Sequence, residues 1–413
     1  MTGIKQEPRQ GHGKAEQGER QRMATALTEA WEGVRPIGPH APRVFEKPFP
    51  RDALPTPALV LSLPAFERNL QAMAALVARF GVGLRPHGKM HKCPEVARRQ
   101  LAAGAIGLCV AKPREAEVMH HAGLGPLLVT SPVLAPGALD RMVALRAAGA
   151  ELTLVVDSFE GIEALRVRAQ AAGVVMPVLV DLDPAMGRTG VAPGPEALAR
   201  VHAVLAAPAL AFQGYQHYAG QVQHIQEEGA RRAACEGHHE AAFALLEATR
   251  QAGVAAPIFT GGGTGSIHYD GPAGLYTDFQ CGSYAFMDEE YGVLEGPEGT
   301  LLDSFETALT VHATAISQPR SGALTVDAGL KSLWPTPTPA VLDHPAMRFY
   351  FAGDEHGIVR FGEACEGLTL GSRVRLRVSH CDPTVNLYDW LWVEDGNARI
   401  VEAWPITARG GSW

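Results

Sequence analysis

The sequence predicts an α/β protein in which a (β/α)8 barrel of the TIM type is followed by a smaller, mostly β C-terminal domain. Two observations predict this fold. From about residue 55, short apolar runs alternate with amphipathic Ala/Leu/Arg segments that often end in Gly. After about residue 300 the rhythm changes to short strand-like segments separated by Gly, Pro and Asp turns. The competing interpretation of the first rhythm is a doubly wound sheet, which usually has fewer strands.

The barrel prediction depends on eight strand candidates, seven intervening helices and one preceding helix. The strand candidates lie near residues 82–87, 106–111, 127–131, 152–157, 176–182, 210–217, 257–261 and 278–286. The clearest helical candidates span residues 64–80, 94–103, 114–122, 138–148, 159–172 and 229–252. Strand-like segments of the C-terminal part span residues 309–316, 323–327, 348–351, 373–379 and 390–394.

These elements divide the chain into three predicted parts. Residues 1–45 are predicted to be a disordered or extended N-terminal segment, because residues 1 to about 22 are polar and almost free of large apolar side chains. Residues 46–300 are predicted to form the barrel. Residues 301–413 are predicted to form the β domain, and a strand near residues 46–62 is a further candidate for its sheet.

Composition argues against several classes of function. The net charge of −8 leaves no basic excess to displace phosphate counterions, so a nucleic-acid partner is not expected. The six cysteines lack CxxC spacing, which indicates reduced thiols and a cytoplasmic location. No apolar run approaches membrane-spanning length and the N-terminus lacks the apolar core of a signal peptide, so no membrane partner is expected.

A dense basic stretch, RPHGKMHK, closes the first barrel strand candidate. If the strand continues through it, alternation places Arg85, His87, Lys89 and His91 on one face. A lysine among other cationic groups has a lowered pKa, so the Lys89 amine is predicted to be free to form a Schiff base. Lys92 is the fallback candidate. The alternative interpretation of the stretch is a basic surface turn.

Other polar residues follow later strand candidates, where a barrel places its chemistry. Arg188 follows the fifth strand, Tyr218 and His224 follow the sixth, and the Gly-rich turn GGGTG at residues 261–265 follows the seventh. Glycine-rich backbone exposes N–H groups to anions, and barrels commonly bind phosphate after strands seven and eight. The alternative is a merely flexible turn. A Schiff-base lysine that faces a phosphate site predicts pyridoxal phosphate as the cofactor.

The segment SHCDPT at residues 379–384 ends an alternating strand candidate. Period two places His380 and Asp382 on one face and Cys381 on the other. An imidazole and a carboxylate suit a divalent metal, with Mn²⁺ expected first and Zn²⁺ or Mg²⁺ as alternatives. A hydrogen bond between the two side chains at a strand end is the simpler interpretation.

Together these segments resemble the D-threonine aldolase and D-serine dehydratase family, relatives of the alanine racemase-like, fold-type III pyridoxal phosphate enzymes. The resembling motifs occur in order over nearly everything after residue 50 and read RPHGKMHKCPE, GRTGV, YAGQVQH, GGGTG, FQCGSYAFMD and HCDPTVNLYD. The combination of the first and last motifs is quite specific, whereas GGGTG is not.

The resemblance implies a role for each matching residue. Lys89 would hold the cofactor as a Schiff base, Arg188 would approach its phenolate side, and Tyr218 would line the site. Gln280 would lie near the pyridine nitrogen. His380 and Asp382 would bind the metal, and His224 would reach the metal-bound water or the substrate hydroxyl. The phosphate would be bound by Gly263, Thr264, Gly265, Gly282 and Ser283.

The resemblance also implies a reaction, in which a D-β-hydroxy-α-amino acid, D-threonine-like or D-3-hydroxyaspartate-like, is cleaved to glycine and an aldehyde. In the family that the chain resembles, dehydratases carry His-x-Cys at the metal site and aldolases carry His-x-Asp. Asp382 therefore favours the aldolase. The nearest alternative is a D-serine or D-3-hydroxyaspartate dehydratase that gives a keto acid and ammonia. A racemase, a non-catalytic pyridoxal phosphate carrier and a phosphate-binding barrel without a Schiff base are further alternatives. A homodimer is expected from the family alone.

Overall fold

The computed structural model describes residues 41–297, 299–361 and 368–412. The predicted disordered stretch at residues 1–22, and everything up to residue 40, lies outside the described residues. The described chain begins with two strands, β1 (Arg43–Pro50) and β2 (Ala58–Ser62), and continues directly into helix α1 (Leu63–Phe80). Gly81 ends this helix with a positive φ of 67°, a conformation that glycine adopts without strain.

The barrel follows α1 and has eight parallel strands, which confirms the predicted fold class. The strands are β3 (Gly83–Leu84), β4 (Leu108–Val110), β5 (Leu127–Val129), β6 (Leu152–Val156), β7 (Met176–Leu182), β8 (Leu210–His217), β9 (Ile258–Gly261) and β10 (Asp278–Phe279). The ring closes between its ends, since β3 pairs with β10 and a parallel bridge joins His87 to Cys109. The first and last strands of the barrel, β3 and β10, have two residues each and are much shorter than the predicted strands 82–87 and 278–286.

Seven helices alternate with these strands in the described chain. They are α2 (Pro94–Ala102), α3 (Pro113–His121), α4 (Pro136–Ala147), α5 (Phe159–Ala171), α6 (Pro195–Leu205), α7 (Glu228–Gln251) and α8 (Ile267–Asp270). Four of them begin with a proline, whose fixed φ and missing N–H suit the first helical turn. No helix in the described part of the chain has the length and apolarity needed to cross a membrane.

A connecting segment leads from the barrel to the β domain. It contains the short helices α9 (Glu289–Gly292) and α10 (Leu301–Ser304) and the hairpin of β11 (Glu295–Gly296) and β12 (Gly299–Thr300). The remaining strands are β13 (Leu309–Arg320), β14 (Ala323–Val326), β15 (Ala340–Val341), β16 (Arg348–Phe351), β17 (Gly357–Arg360), β18 (Arg373–Arg377), β19 (Trp390–Glu394) and β20 (Arg399–Pro405). One further helix, α11 (Cys381–Val385), lies between β18 and β19.

The sheet of the β domain includes both strands that precede the barrel. Its order is β1-β20-β19-β2-β13-β14-β17-β16, with β18 paired to β13 and β15 to β18. An apolar cluster around Phe49, Leu54, Trp390 and Ile400 packs on one side of it. The predicted domain bounds at residues 45 and 300 stay predictions, but β1 and β2 pair with the C-terminal strands rather than with the barrel.

Candidate active site

A cavity of about 530 Å³ opens where the barrel strands end and the β domain meets them. This volume lies within the range of about 300–1,000 Å³ typical of sites for small ligands and cofactors. Eleven of the twelve predicted site residues line it, namely Lys89, Arg188, Tyr218, His224, Gly263, Thr264, Gln280, Gly282, Ser283, His380 and Asp382. The twelfth, Gly265, lies behind the lining, where its N–H donates to Gln223 Oε1 at 3.0 Å.

Lys89 enters this cavity from a 3-10 turn, Gly88–Met90, and not from a strand. The prediction that one strand carries Arg85, His87, Lys89 and His91 is wrong, because β3 ends at Leu84 and the chain turns before Lys89. The buried His91 ring instead accepts the N–H of Cys93 at 3.0 Å.

The predicted lowering of the Lys89 pKa is also wrong for the protein alone. Lys89 Nζ lies 3.5 Å from Asp382 Oδ1, and this negative charge raises the pKa of the amine although burial and Arg188 oppose it. The basic neighbours act more strongly on His87, whose pKa is well below its usual value because of burial and then of the charge of Lys89.

The neighbouring Lys92 is occupied elsewhere. Its Nζ lies 2.6 Å from Glu115 Oε1, and the two side chains are only 11% and 1% exposed. Glu115 Oε2 also accepts the N–H of Ala111 at 2.8 Å, so this pair anchors the start of α3. Lys89 is therefore the lysine whose amine faces the cavity.

The two predicted metal ligands come from the end of β18. His380 precedes α11 and Asp382 lies in its first turn, so the predicted strand alternation across residues 380–382 is wrong. The turn nevertheless brings the side chains together, with His380 Nε2 3.7 Å from Asp382 Oδ2. Metal–ligand bonds of about 2.1 Å place neighbouring ligand atoms roughly 3–3.5 Å apart, so the pair fits one divalent ion after a small adjustment. Within the described residues, no group of three or more His, Cys, Asp or Glu side chains is arranged as a metal cage.

Two acidic residues for which the sequence predicted no role, Asp288 and Glu290, lie beside His380. Glu290 Oε2 lies 2.6 Å from His380 Nδ1 and Glu290 Oε1 lies 3.3 Å from His224 Nδ1. Asp288 Oδ2 lies 3.4 Å from the same His380 nitrogen and accepts the N–H of Cys381 at 2.8 Å. Burial alone would lower the pKa of His380, but these carboxylates and Asp382 raise it to about 10. Burial lowers the pKa of His224, against the opposing charge of Glu290.

The glycine-rich turn at residues 261–265 is held from behind by buried side chains. The N–H groups of Gly263 and Gly265 donate to Ser266 Oγ at 3.1 Å and to Gln223 Oε1 at 3.0 Å. These two glycines therefore give the turn its shape and are not free donors. Thr264 Oγ1 accepts the N–H of Tyr284 at 3.1 Å, which leaves its own hydrogen free to donate to an anion in the cavity.

The network behind the turn continues through Asp270 to α7. Ser266 Oγ donates to Asp270 Oδ2 at 2.5 Å, and the other oxygen of Asp270 lies 2.8 Å from His239 Nε2. His239 is only 7% exposed. The sequence offered no signal for this network beyond the serine itself, because its members come from separate elements.

Gln280 lies on the floor of the cavity with both of its amide hydrogens in use. The Nε2 of Gln216 donates to Thr130 O at 2.8 Å and to Asp181 Oδ1 at 2.7 Å, so its oxygen is the acceptor toward Gln280 Nε2 at 3.2 Å. Gln280 Nε2 also donates to Thr260 Oγ1 at 3.3 Å. The Gln280 oxygen is consequently the atom left for a bound molecule.

Arg188 and Tyr218 form one wall of the cavity. The Arg188 guanidinium carbon lies 5.4 Å from the centre of the Tyr218 ring, a cation–π distance. Asp183 supports the loop that carries Arg188 by accepting the N–H groups of Met186 at 2.7 Å and Gly187 at 3.0 Å. Arg188 thus presents a positive charge that no carboxylate within 4 Å neutralises in the described part of the structure.

Comparisons with known proteins place this chain and its fold in one family. Residues 61–288 match the model of the alanine racemase N-terminal domain, and residues 308–394 match that of a serine dehydratase domain. The chain therefore belongs to the D-threonine aldolase and D-serine dehydratase family, whose barrels are of the alanine racemase type.

Particular relatives define the position within that family. The chain is 40% identical to a D-threonine aldolase of Arthrobacter sp. over 86% of its length and 93% of the relative. It is 35% identical to a 3-hydroxy-D-aspartate aldolase of Paracoccus denitrificans over 86% of its length and 92% of the relative. The crystal structure of D-threonine aldolase from Filomicrobium marinum superposes with a TM-score of 0.85 at 37% identity and covers 90% of this chain and 99% of that one.

Proposed function

We propose that the protein is a pyridoxal phosphate- and divalent metal-dependent aldolase that cleaves a D-β-hydroxy-α-amino acid to glycine and an aldehyde. One observation carries the proposal. The amine of Lys89 and the His380–Asp382 pair open onto the same cavity, with Lys89 Nζ 3.5 Å from Asp382 Oδ1. Groups suited to hold an amino acid through its nitrogen and through its β-hydroxyl are thus within one substrate length of each other.

In this proposal, the barrel residues hold the cofactor. Lys89 would be the covalent attachment point, and Thr264 and Ser283 would donate to the phosphate beside the turn shaped by Gly263 and Gly265 and beside Gly282. The free Gln280 oxygen would accept a hydrogen bond from the ring. When bound, pyridoxal phosphate supplies an electron-accepting ring for the pair released from the Cα–Cβ bond. Arg188 and Tyr218, which form one wall of the cavity, would contact the cofactor from that wall.

The β domain and the connecting segment act on the substrate hydroxyl. His380 and Asp382 would hold Mn²⁺, or Zn²⁺ or Mg²⁺, which supplies a Lewis acid that lowers the pKa of a bound hydroxyl. The lowered pKa of His224 keeps its imidazole neutral, so it can take the hydroxyl proton as Cα–Cβ cleavage releases the aldehyde.

The aldolase is favoured over a dehydratase by the residue at position 382. A carboxylate oxygen is a harder ligand than a thiolate and suits Mn²⁺ or Mg²⁺, and the one cysteine of this segment, Cys381, is fully buried away from the cavity. Such an ion would supply a Lewis acid that favours loss of the hydroxyl proton, which carbon–carbon cleavage requires.

The test is to supply the purified protein with pyridoxal phosphate and Mn²⁺ and to incubate it with D-threonine, D-3-hydroxyaspartate and D-serine, with L-threonine as the stereochemical control. Glycine and keto acid are assayed separately. Glycine and an aldehyde from a D-substrate alone are expected. Keto acid and ammonia as the main products would overturn the aldolase assignment in favour of the dehydratase.

A further inference from the structure

Glu290 lies between the two imidazoles of the site and contacts both. Its Oε2 is 2.6 Å from His380 Nδ1 and its Oε1 is 3.3 Å from His224 Nδ1. His380 belongs to the β domain and His224 to the loop after barrel strand β8, so one carboxylate links groups that are 156 residues apart along the chain.

The backbone holds Glu290 in this place. The N–H groups of Glu289 and Glu290 donate to the carbonyls of Val378 at 3.0 Å and Ser379 at 3.2 Å, immediately before His380. Helix α9 is thus attached to the end of β18 by two consecutive hydrogen bonds. On the other side, the ring of Tyr291 lies 5.3 Å from the ring of His224 in an edge-on arrangement.

Glu290 lies on the opposite edge of the His380 ring from the proposed metal position. His380 Nδ1 faces Glu290, whereas His380 Nε2 faces Asp382 Oδ2 at 3.7 Å. A metal held by Nε2 and Asp382 would therefore use the ring nitrogen that Glu290 does not contact. Metal-binding histidines commonly have their second nitrogen held by a carboxylate in this way.

A carboxylate is negatively charged and can only accept hydrogen bonds, so the 2.6 Å approach of Glu290 Oε2 to His380 Nδ1 and the longer 3.3 Å approach of Oε1 to His224 Nδ1 both favour a hydrogen on the nitrogen concerned. In a neutral imidazole this leaves the lone pair on Nε2. We propose that Glu290 is a positioning residue that fixes both imidazoles in the Nδ1–H tautomer, which aims the Nε2 of His380 at the metal and frees the Nε2 of His224 to accept a proton. This inference rests on the proposed function, because it uses the metal pair and the base assigned there.

Two substitutions of Glu290 separate this role from that of a charge alone. Glu290→Ala removes the nearest carboxylate oxygen from both imidazoles and leaves His380 Nδ1 only Asp288 Oδ2 at 3.4 Å, so the Mn²⁺ dissociation constant should rise about 10–100-fold, the usual effect of losing such a partner. Glu290→Gln loses the same charge but keeps one acceptor oxygen. That oxygen should stay with the closer and less exposed His380, so Mn²⁺ affinity should remain within about threefold of the wild type while His224 is released and turnover falls.

The measurement is the electron paramagnetic resonance signal of free Mn²⁺ during titration of the cofactor-loaded protein without substrate, so that binding is read independently of activity. Glu289→Gln is the matched control, because Glu289 is adjacent but contacts Arg377 Nε at 2.5 Å instead of an imidazole. This control should lower the melting temperature and leave Mn²⁺ affinity unchanged.

His380→Ala serves as the reference and should abolish the site. If it does and Glu290→Ala binds Mn²⁺ like the wild type, the inference is overturned while the proposed function stands. If Glu290→Gln and Glu290→Ala lost Mn²⁺ affinity equally, the negative charge of Glu290 alone would account for its effect, and the inference would also be overturned. A wild-type protein that binds no Mn²⁺, or a His380→Ala variant that binds it normally, would overturn the metal site and the inference together.

Discussion

Gly265 and Gly282 are both predicted to bind the cofactor phosphate, but the structure predicts opposite outcomes for their substitution by alanine. A Cβ on Gly265 would lie 2.5 Å from the carbonyl oxygen of Gln223 and 3.2 Å from its carbonyl carbon and Cα. Those atoms are backbone and do not yield like a side-chain end. A Cβ on Gly282 would meet His87 O at 3.3 Å and His87 Cβ at 3.5 Å, which needs only a small adjustment. The φ of Gly282, −123°, suits alanine.

The expected size of the Gly265→Ala effect follows from the overlap. Restoring ordinary contact at 3.4 Å requires the turn or Gln223 to move by about 0.9 Å, and overpacking of this kind costs about 1–3 kcal/mol. The free protein relieves the strain by moving the turn, and phosphate binding requires the turn to return. The same free energy therefore reappears as roughly 5–150-fold weaker binding of pyridoxal phosphate. Gly282→Ala should stay within about threefold of the wild type, since its contacts are near normal.

The assay is the dissociation constant of pyridoxal phosphate for the cofactor-free protein, followed by the visible absorbance of the bound cofactor, with pyridoxal measured in parallel. Pyridoxal lacks the phosphate, so Gly265→Ala should leave its affinity nearly unchanged. The reasoning would be refuted if both glycine variants bound the phosphorylated cofactor equally well, or if Gly265→Ala weakened pyridoxal as much as pyridoxal phosphate.

Three further predictions concern other residues. Lys89→Ala should abolish the visible absorbance of the bound cofactor. Lys92→Ala should keep that absorbance but lower the free energy of unfolding by about 3 kcal/mol, because the buried Glu115 loses its partner. Absorbance spectra and urea unfolding of both variants check this. His380→Ala should keep the cofactor absorbance and lose at least about 100-fold in Mn²⁺-dependent turnover, and retained turnover would contradict the metal assignment. Burial lowers the pKa of His312 from 6.5 to about 3, so the unfolded chain takes up the proton first and stability falls as the pH drops from about 6.5 toward 3. His312→Gln should lose about 2 kcal/mol less than the wild type between pH ~7.5 and ~5.0 in urea unfolding, and an equal loss would exclude this histidine as a cause.

The barrel and most of the candidate site were predictable because each depends on a local pattern. Each strand and helix buries its own apolar face, so its pattern of apolar residues is visible in its own sequence. The order of strands and helices could therefore be predicted directly. His380 and Asp382 are two residues apart and meet in a strand or in a turn, so their pairing survived the wrong assignment of local structure. Lys89 likewise reaches the cavity from a turn that was predicted as a strand.

The remaining site residues could not be predicted because their roles arise from long-range contacts. Glu290 lies in a helix of four residues, whose N–H groups donate to the carbonyls of Val378 and Ser379. No sequence pattern around Glu290 indicates that the chain near residue 378 is its neighbour. The pKa of Lys89 was predicted from its basic neighbours in sequence, but Asp382, which comes from the other domain, decides it. Charges adjacent in space outweigh those adjacent in sequence.

The geometry of the site therefore depends on the junction between the two sheets. Asn69 of α1, 1% exposed, donates to Ala285 O at 3.2 Å and to Glu306 O at 2.8 Å, and its oxygen accepts the N–H of Glu306 at 2.7 Å. These bonds attach both ends of the segment that carries Glu290 to α1, the helix that precedes the barrel. Because β2 runs directly into α1 and pairs with β13 and β19, the same helix is also fixed to the β domain. Lys89 on the barrel and Asp382, which follows a strand of the β domain, are thus held near each other by a junction that includes the two strands before the barrel.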